Sequence, residues 1–426
     1  MWLRSTALAV FAAASCLSAW AQPPEILTLD EAFARVAQSH PDLRLIDGQR
    51  KVLSVEAERA ALRPVWVAGL QIENAFGTGD SSGFRQAEIS LTLAGVLERG
   101  GKLDARRALA QTRIDSLALQ RETKRLDLLA EVARRYLAIS AAQDQRRIAD
   151  LDVAQRQRTV AGARQRLAAG ASPESVVLTA QAALARAELD RDRAQQRSAA
   201  ARQHLAALWG ERNPAFGVVA GDPLVLPEIA DFAALDALLT STPELARFAD
   251  EQRIGEARLQ LARSQTTPDL DWQVGVRRLQ ATDDFALVGS VSVPLGSSRR
   301  AQPDIRIAEA ELALVEIERE AQGLSLYSTL SEAHGRYRVA QLEVSRLQAD
   351  VLPKLAKAER AAERAYRGGA ISYLEWAQLQ SERTSTRKQQ LEAALEAQRA
   401  LIEIQRLTGQ AFVAGPASQI NQETTP

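Results

Sequence analysis

The residues best suited to chemistry are few and far apart. The 426-residue chain holds three histidines, His40, His204 and His334, one cysteine, Cys16, and one methionine, Met1. A transition-metal site needs several imidazole or thiolate donors close together, and these are widely spaced in sequence. No nucleophile elbow, P-loop or H-E-x-x-H run is present. Gly100-Gly101-Lys102 lacks the spacing of a phosphate loop, and the histidines read as structural or exposed groups. No residues support an enzyme, a bound cofactor or a resident metal. A lone cysteine also excludes a disulfide within the chain. Basic and acidic residues balance at 53 each, so no cationic excess points to nucleic acid.

The elements around these residues are unusual. Residues 102–169 contain no proline and only Gly162 as a glycine, and are dense in Ala, Leu, Arg, Gln and Glu, the best helix formers. One helix over that stretch would be roughly 100 Å long, which an ordinary compact domain does not contain. Residues 300–367 read as a second long helix of similar length and helix-forming composition.

Two such stretches exist because the chain repeats itself. Ser39-His40-Pro41-Asp42-Leu43 returns as Ser241-Thr242-Pro243-Glu244-Leu245. The 88–93 run returns at 290–295, Arg135-Tyr136 as Arg336-Tyr337, Gly170-Ala171 as Gly369-Ala370, and Leu208-Trp209-Gly210 as Leu407-Thr408-Gly409. Landmarks in one order at one offset, roughly 200 residues, mark a tandem duplication. The first unit spans 22–210, with strands at about 65–76 and 86–95, a long helix at 102–169 and a return helix at 173–208. A connector, 211–231, leads to the second unit, 232–409, with strands at about 269–278 and 284–295, a long helix at 300–367 and a return helix at 372–408. A polar tail, 410–426, follows. Thr28-Leu29-Asp30-Glu31 has capping-box spacing, and Ala169-Gly170-Ala171-Ser172-Pro173 separates a helix end from the next start.

The strands alternate apolar and polar residues with period two. Leu70, Ile72, Ile89, Leu91, Val291 and Val293 fall on the apolar side; Gln71 and Ser90 fall on the other. Four strands cannot close a barrel, yet nine- to twelve-residue strands of this kind match a transmembrane barrel wall. Open edges are not tolerated in lipid, so closure needs other copies of the chain, and three copies give twelve strands. Trp66, Phe76, Phe84, Trp272 and Phe285 suit interfacial belts. The competing reading is two small soluble hairpins packed on helices. The helices carry narrow apolar stripes, such as Leu126, Leu129, Val132 and Tyr136, which suit pairwise packing in a hollow cylinder; the alternative is a simple antiparallel coiled coil. The expected fold is therefore mainly α with a small β part: long antiparallel helices forming an α-barrel, and four strands per chain entering a trimeric 12-stranded β-barrel.

Residues 1–21 read as a secretory signal, with Arg4 in the n-region, an apolar run to Leu17, and Ala19-Trp20-Ala21 as the cleavage site. Lipoprotein cleavage before Cys16 is the alternative, but Ala13-Ala14-Ser15-Cys16 lacks the usual leucine. No later run is apolar and long enough for a transmembrane helix.

Together these features resemble the TolC-like outer-membrane efflux protein family. The marks are the tandem repeat, the strand pairs before long helices, and Tyr366-Arg367-Gly368-Gly369-Ala370-Ile371. Ile72-Glu73-Asn74, Gly83-Phe84 and Leu97-Glu98-Arg99-Gly100-Gly101-Lys102 resemble its cobalt–zinc–cadmium branch, from which Arg99 and Leu103 depart. The resemblance implies a homotrimer in the outer membrane, extending into the periplasm. It implies a passive efflux duct for heavy-metal cations, working with a periplasmic adaptor and an inner-membrane RND pump. The turns at Gly170, Ala171, Gly369 and Ala370 then dock the adaptor. Tyr366 and Glu375 match the positions that close the periplasmic entrance, where a second acidic position falls on Gln378. A duct for drugs or secreted proteins, and a periplasmic coiled-coil adaptor that never enters a membrane, are the other functions compatible with the sequence.

Overall fold

The computed structural model describes residues 26–412. The signal peptide expected at 1–21, with Arg4 and Cys16, and residues 413–426 of the tail lie outside the described residues. In chain order the elements are β1 (Ile26–Leu27), α1 (Leu29–Ser39), α2 (Pro41–Ala60), β2 (Val67–Glu73), β3 (Glu88–Leu97), α3 (Lys102–Asp115), α4 (Leu117–Ala168), α5 (Glu174–Ala206), β4 (Val218–Val219), α6 (Phe232–Leu239), α7 (Pro243–Ser264), β5 (Leu270–Leu279), β6 (Asp284–Ser292), α8 (Ser297–Arg346), α9 (Leu352–Arg367) and α10 (Tyr373–Thr408).

Local chemistry sets many of these boundaries. Thr28 and Glu31 form the capping box that opens α1. The His40 Nδ1 accepts the Asp42 N–H at 3.2 Å and caps α2, with Pro41 in its first turn. The helices after each hairpin start on left-handed glycines, Gly101 (φ 73°) and Gly296 (φ 86°), a conformation that costs a side chain-bearing residue energy.

Both long helices differ from the sequence expectation. The 102–169 stretch is interrupted at Ser116, whose hydroxyl donates to the Arg113 carbonyl at 2.9 Å, a local bond that competes with the helical ladder. The second long helix begins at Ser297 and passes through a π-helical segment, Leu347–Val351, before Pro353. Proline brings no N–H, and the wider turn takes up the mismatch. Strand ends also shift. Residue β2 positions past Glu73 are lost because Asn74 and Phe76 take positive φ, 54° and 60°. Strand β6 ends at Ser292 ahead of Pro294, so Val293 lies beyond the strand to which the sequence assigned it.

The helices form a wall one layer thick. Near the strands, neighbours run α2–α3–α7–α8; farther away they run α5–α4–α10, with α8 and α9 beyond. Such a wall has no single core. One cluster gathers Leu27, Val36, Val132, Tyr136, Ile139, Leu205 and Phe216. A second, from the other repeat, gathers Leu235, Leu239, Leu330, Tyr337, Leu401 and Ile404. A third sits at the far tips around Val160, Ala163, Tyr366 and Trp376.

The connector is ordered rather than slack. Its β4 pairs in parallel with β1. The repeated tyrosines hold it down. Tyr136 Oη lies 2.8 Å from the Ala220 carbonyl and 2.9 Å from that of Leu27. Tyr337 Oη donates to the Pro227 carbonyl, and burial pushes its pKa up to about 12. Gln398 Nε2 donates to the Val225 carbonyl at 3.1 Å. Removing the first hydroxyl leaves a buried acceptor without this donor, at a cost of about 1–3 kcal/mol. Tyr136→Phe should therefore lower the thermal midpoint and speed amide exchange at Val219 and Ala220. Exchange unchanged from the parent there would show that the hydroxyl is not what holds the connector.

Candidate functional site

The two hairpins join into one antiparallel sheet, in the order β2-β3-β5-β6. The junction between repeats is β3 with β5, from Glu88↔Leu279 to Leu97↔Leu270. The register Leu70↔Leu91↔Val276↔Leu287 puts these four side chains on one face. By the same alternation Ile72, Ile89, Val274 and Val291 share it. No helix packs along the sheet, and this face is bare: Leu70 is 67% and Leu287 89% exposed. The soluble-hairpin reading packs the hairpins on helices with the aromatics as core, whereas Trp66, Phe76, Phe84 and Phe285 are exposed. Trp66 and Trp272 meet edge to face, 6.2 Å apart, at the end near the helices; Phe76 and Phe84 meet at 4.6 Å in the loop at the other end.

The opposite face is polar. Arg277 spans three strands on it, its Nη1 2.7 Å from Glu88, its Nη2 3.4 Å from Glu73 and its Nε 2.9 Å from Ser90 Oγ. Strands β2 and β6 each have one neighbour only, which leaves both outer edges of the sheet with unused backbone donors and acceptors.

At the corner between sheet and helices, the run 97–102 has a mechanical role. Arg106 donates to Glu98 at 2.9 Å and to the Ala60 carbonyl at 3.3 Å, and this contact holds the Glu98 carboxyl below its usual range. The buried Lys102 ammonium sits 2.8 Å from Asp269 and so ties the first repeat to the second. Gly100, with φ 73°, lies against Thr267, where a Cβ would come within 2.6 Å of the threonine Cβ.

The farthest points from the sheet are the two helix–helix turns. Both use left-handed glycines, Gly170 and Gly369, and both close with the same pattern: Ala171 N–H to the Arg166 carbonyl at 2.9 Å, and Ala370 N–H to the Ala365 carbonyl at 2.8 Å. This is the Schellman arrangement. Arg166 joins the two tips by donating to the carbonyl of Tyr366 and to that of Ala171.

Tyr366 and Glu375 are not brought together. Tyr366 is 3% exposed and lies between the stacked Trp376 ring, 4.9 Å away, and the Arg166 guanidinium, also at 4.9 Å. Its hydroxyl has no hydrogen-bond partner within the described residues. Glu375 is exposed, and its carboxylate accepts the Ser372 N–H at 2.8 Å and the Ser372 hydroxyl at 3.0 Å, completing a capping box for α10.

Sequence reasoning missed Arg166, Trp376 and Arg277. The repeat alignment held the signal for the first, since Arg166 stands opposite Ala365. It also missed two exposed seams. Leu45, Val52 and Val55 on α2 with Leu62 just past its end, and Ile307, Leu314, Ile317 and Leu324 on α8, are exposed at the alternating sevens and threes of a coiled-coil interface.

Comparison with known proteins gives a consistent set of relatives. The sequence model described as outer membrane efflux protein matches residues 35–211. The cobalt-zinc-cadmium resistance protein CzcC of Cupriavidus metallidurans is 28% identical over 280 residues, 66% of this chain and 67% of that protein. Among solved structures, CusC has a TM-score of 0.74 at 17% identity, covering 90% of this chain and 92% of its own. The outer-membrane channel OprN also scores 0.74, at 18% identity and 90% coverage of each chain. VceC of Vibrio cholerae scores 0.70 at 16% identity, covering 90% and 97%.

The Glu375 cap makes the tip pH-sensitive. Hydrogen bonds from the Ser372 backbone and hydroxyl hold its carboxyl below the usual glutamate range. A lowered folded-state pKa means the stabilisation is present above the unfolded value and is lost as pH falls through the folded one. Amide exchange in the first turn of α10 should therefore quicken in acid, relative to Glu375→Gln measured at the same pH, and match it once the carboxyl is protonated. Identical exchange of the two proteins at neutral pH would remove the cap from this role.

Proposed function

We propose that this chain is an outer membrane efflux protein, the family whose model matches residues 35–211, and that three copies close into one continuous duct, a 12-stranded barrel in the outer membrane and a helical cylinder in the periplasm. On this reading the protein is an outer membrane efflux channel and not an enzyme, which the match of residues 35–211 supports. The observation that carries the trimeric reading is the sheet: one face apolar and bare, two edges unpaired, and no helix to cover it. In lipid the apolar face gains a solvent it matches, and each open edge must find a strand. Joining β6 of one protomer to β2 of the next satisfies both. The same step brings the α8 seam of one protomer against the α2 seam of the next. The polar face, with Gln71, Ser90, Thr92 and Gln273, then lines the lumen.

Transport through such a duct is passive, and the energy comes from an inner-membrane RND pump joined through a periplasmic adaptor. The adaptor meets the tips at Gly170, Ala171, Gly369 and Ala370, where the two kinds of turn alternate round the mouth. Tyr366, whose hydroxyl lacks a partner among the described residues, supports a contact across that mouth to a neighbouring protomer. Glu375 adds an exposed carboxylate from each protomer there. The cargo we propose is heavy-metal cations. The likeness to CzcC supports it, as do Ile72-Glu73-Asn74 and the 97–102 run. The metal is cargo, and the choice of metal rests with pump and adaptor. Growth of a deletion strain under zinc, cobalt and cadmium, set against growth under drugs, tests the cargo; sensitivity to drugs alone would reverse it.

The membrane-facing assignment has a direct check. Arginine at the middle of the lipid-facing side of such a barrel costs roughly 2–4 kcal/mol. Leu70→Arg and Val291→Arg should reduce insertion, while Gln71→Arg, on the lumenal side, should insert like the parent. The parent in detergent should weigh three chains per particle. A monomer with full strand content would contradict the closed barrel.

A further inference from the structure

The charged residues of the sheet are unevenly placed on its polar face. Alternation along the four strands assigns to that face Glu73, Glu88, Arg277 and Asp284 at the loop end, and Asp271 at the helix end. Between them the face carries only Val, Gly, Gln, Ser, Thr and Ala. Glu73, Glu88 and Asp284 fall in one register row, through Glu73↔Glu88↔Leu279↔Asp284. Arg277 is one row further in, opposite Ser90.

The arginine is fixed there. Its three contacts to Glu88, Glu73 and Ser90 come from both strands of the first hairpin. The carboxylates are held in turn: the other Glu88 oxygen accepts from Asn74 Nδ2 at 3.0 Å, and Glu73 Oε1 accepts from Gln71 Nε2 at 3.0 Å. The loop end lies opposite the helices. On the proposed duct it is the outer mouth, and closure brings the Asp284 edge of one protomer to the Glu73 edge of the next. The polar face of each protomer's strands then contributes three carboxylates and one guanidinium to the rim, beside Asp80 and Arg85 of the loop and the Arg278–Asp283 pair.

We infer that Arg277 sets the ion preference of the duct at this outer mouth, by offsetting the carboxylate row and so limiting its attraction for cations. This rests on the trimeric-duct reading. Fixed rings of side-chain charge govern which ions enter a pore. Their reach is the Debye length, about 10 Å at 0.1 M salt and about 30 Å at 0.01 M, so at low salt the field of the rim extends across a wide lumen.

The test is the reversal potential of the full protein in planar bilayers under a potassium chloride gradient at low ionic strength. Arg277→Gln should raise the potassium-to-chloride permeability ratio by about twofold or more. Glu88→Gln alone should lower it. The double variant Arg277→Gln/Glu88→Gln has the same net rim charge as the parent and should return the ratio to the parent value. A merely structural role for Arg277 would not produce that rescue, because the double variant lacks the whole bridge. Arg277→Lys, which keeps the charge, should select like the parent. A conducting Arg277→Gln or Glu88→Gln channel with the parent ratio overturns the inference, as does a double variant that fails to revert. A parent that inserts but passes no current overturns the duct itself, and the inference with it.

Discussion

Backbone hydrogen bonding governs this molecule. A four-stranded sheet has two open edges, and among the described residues no strand pairs with them. In water, such edges would be tolerated or capped; in hydrocarbon each unmet N–H or C=O costs several kcal/mol. Closure by other copies is the available remedy, and it dictates the rest. In the proposed duct, helices that leave a closed ring of strands continue as a ring, which suits their packing as a wall one layer thick. A wall has two wet faces and cannot gather one thick core. Its cohesion is therefore distributed among small apolar patches, ion pairs such as Lys102–Asp269, and side chains that grip the backbone of the connector.

Duplication supplies the wall economically but leaves room for difference. Both tips close with the same glycine turn, yet Leu167 occupies one where Tyr366 occupies the other, and Arg166 faces Ala365 in the alignment. The long helices are also relieved at different heights, one at Ser116 and the other by the π-helical segment before Pro353. Similar scaffolding thus ends in two unlike tips, one of which carries the buried aromatic cluster of Tyr366, Tyr373 and Trp376.

Much of this fold was legible because it is written in periods. Alternation of two placed Leu70, Ile72, Ile89, Leu91 and Val291 on one side, and glycine and proline marked the turns. Features that depend on contacts distant in sequence were not legible. The two-residue pairing of β1 with β4 has no period to detect. Val293 follows the alternation yet falls outside its strand because Pro294 lacks a donor. Tyr366 and Glu375 look alike in sequence as polar groups near a turn. Packing buries the first under Arg166 and Trp376, while helix capping occupies the second. Arg277 reads in sequence as one more polar residue on a polar face; only the register across three strands shows it meeting two carboxylates.

The connector has a bearing on how the chain acquires its shape. Leu27 is held by residues 219–220, and Tyr136 reaches the same place, while Tyr337 grips Pro227 from the second unit. These are contacts of high sequence separation, whose closure entropy must be met before they stabilise anything. During synthesis the first unit can form its hairpin and paired helices early, since those are local. Its apolar cluster around Tyr136 stays open until the connector has been made, and the connector is fully seated only when the second long helix arrives. The two units are thus separable as sequences and share one seat for the connector in the folded chain.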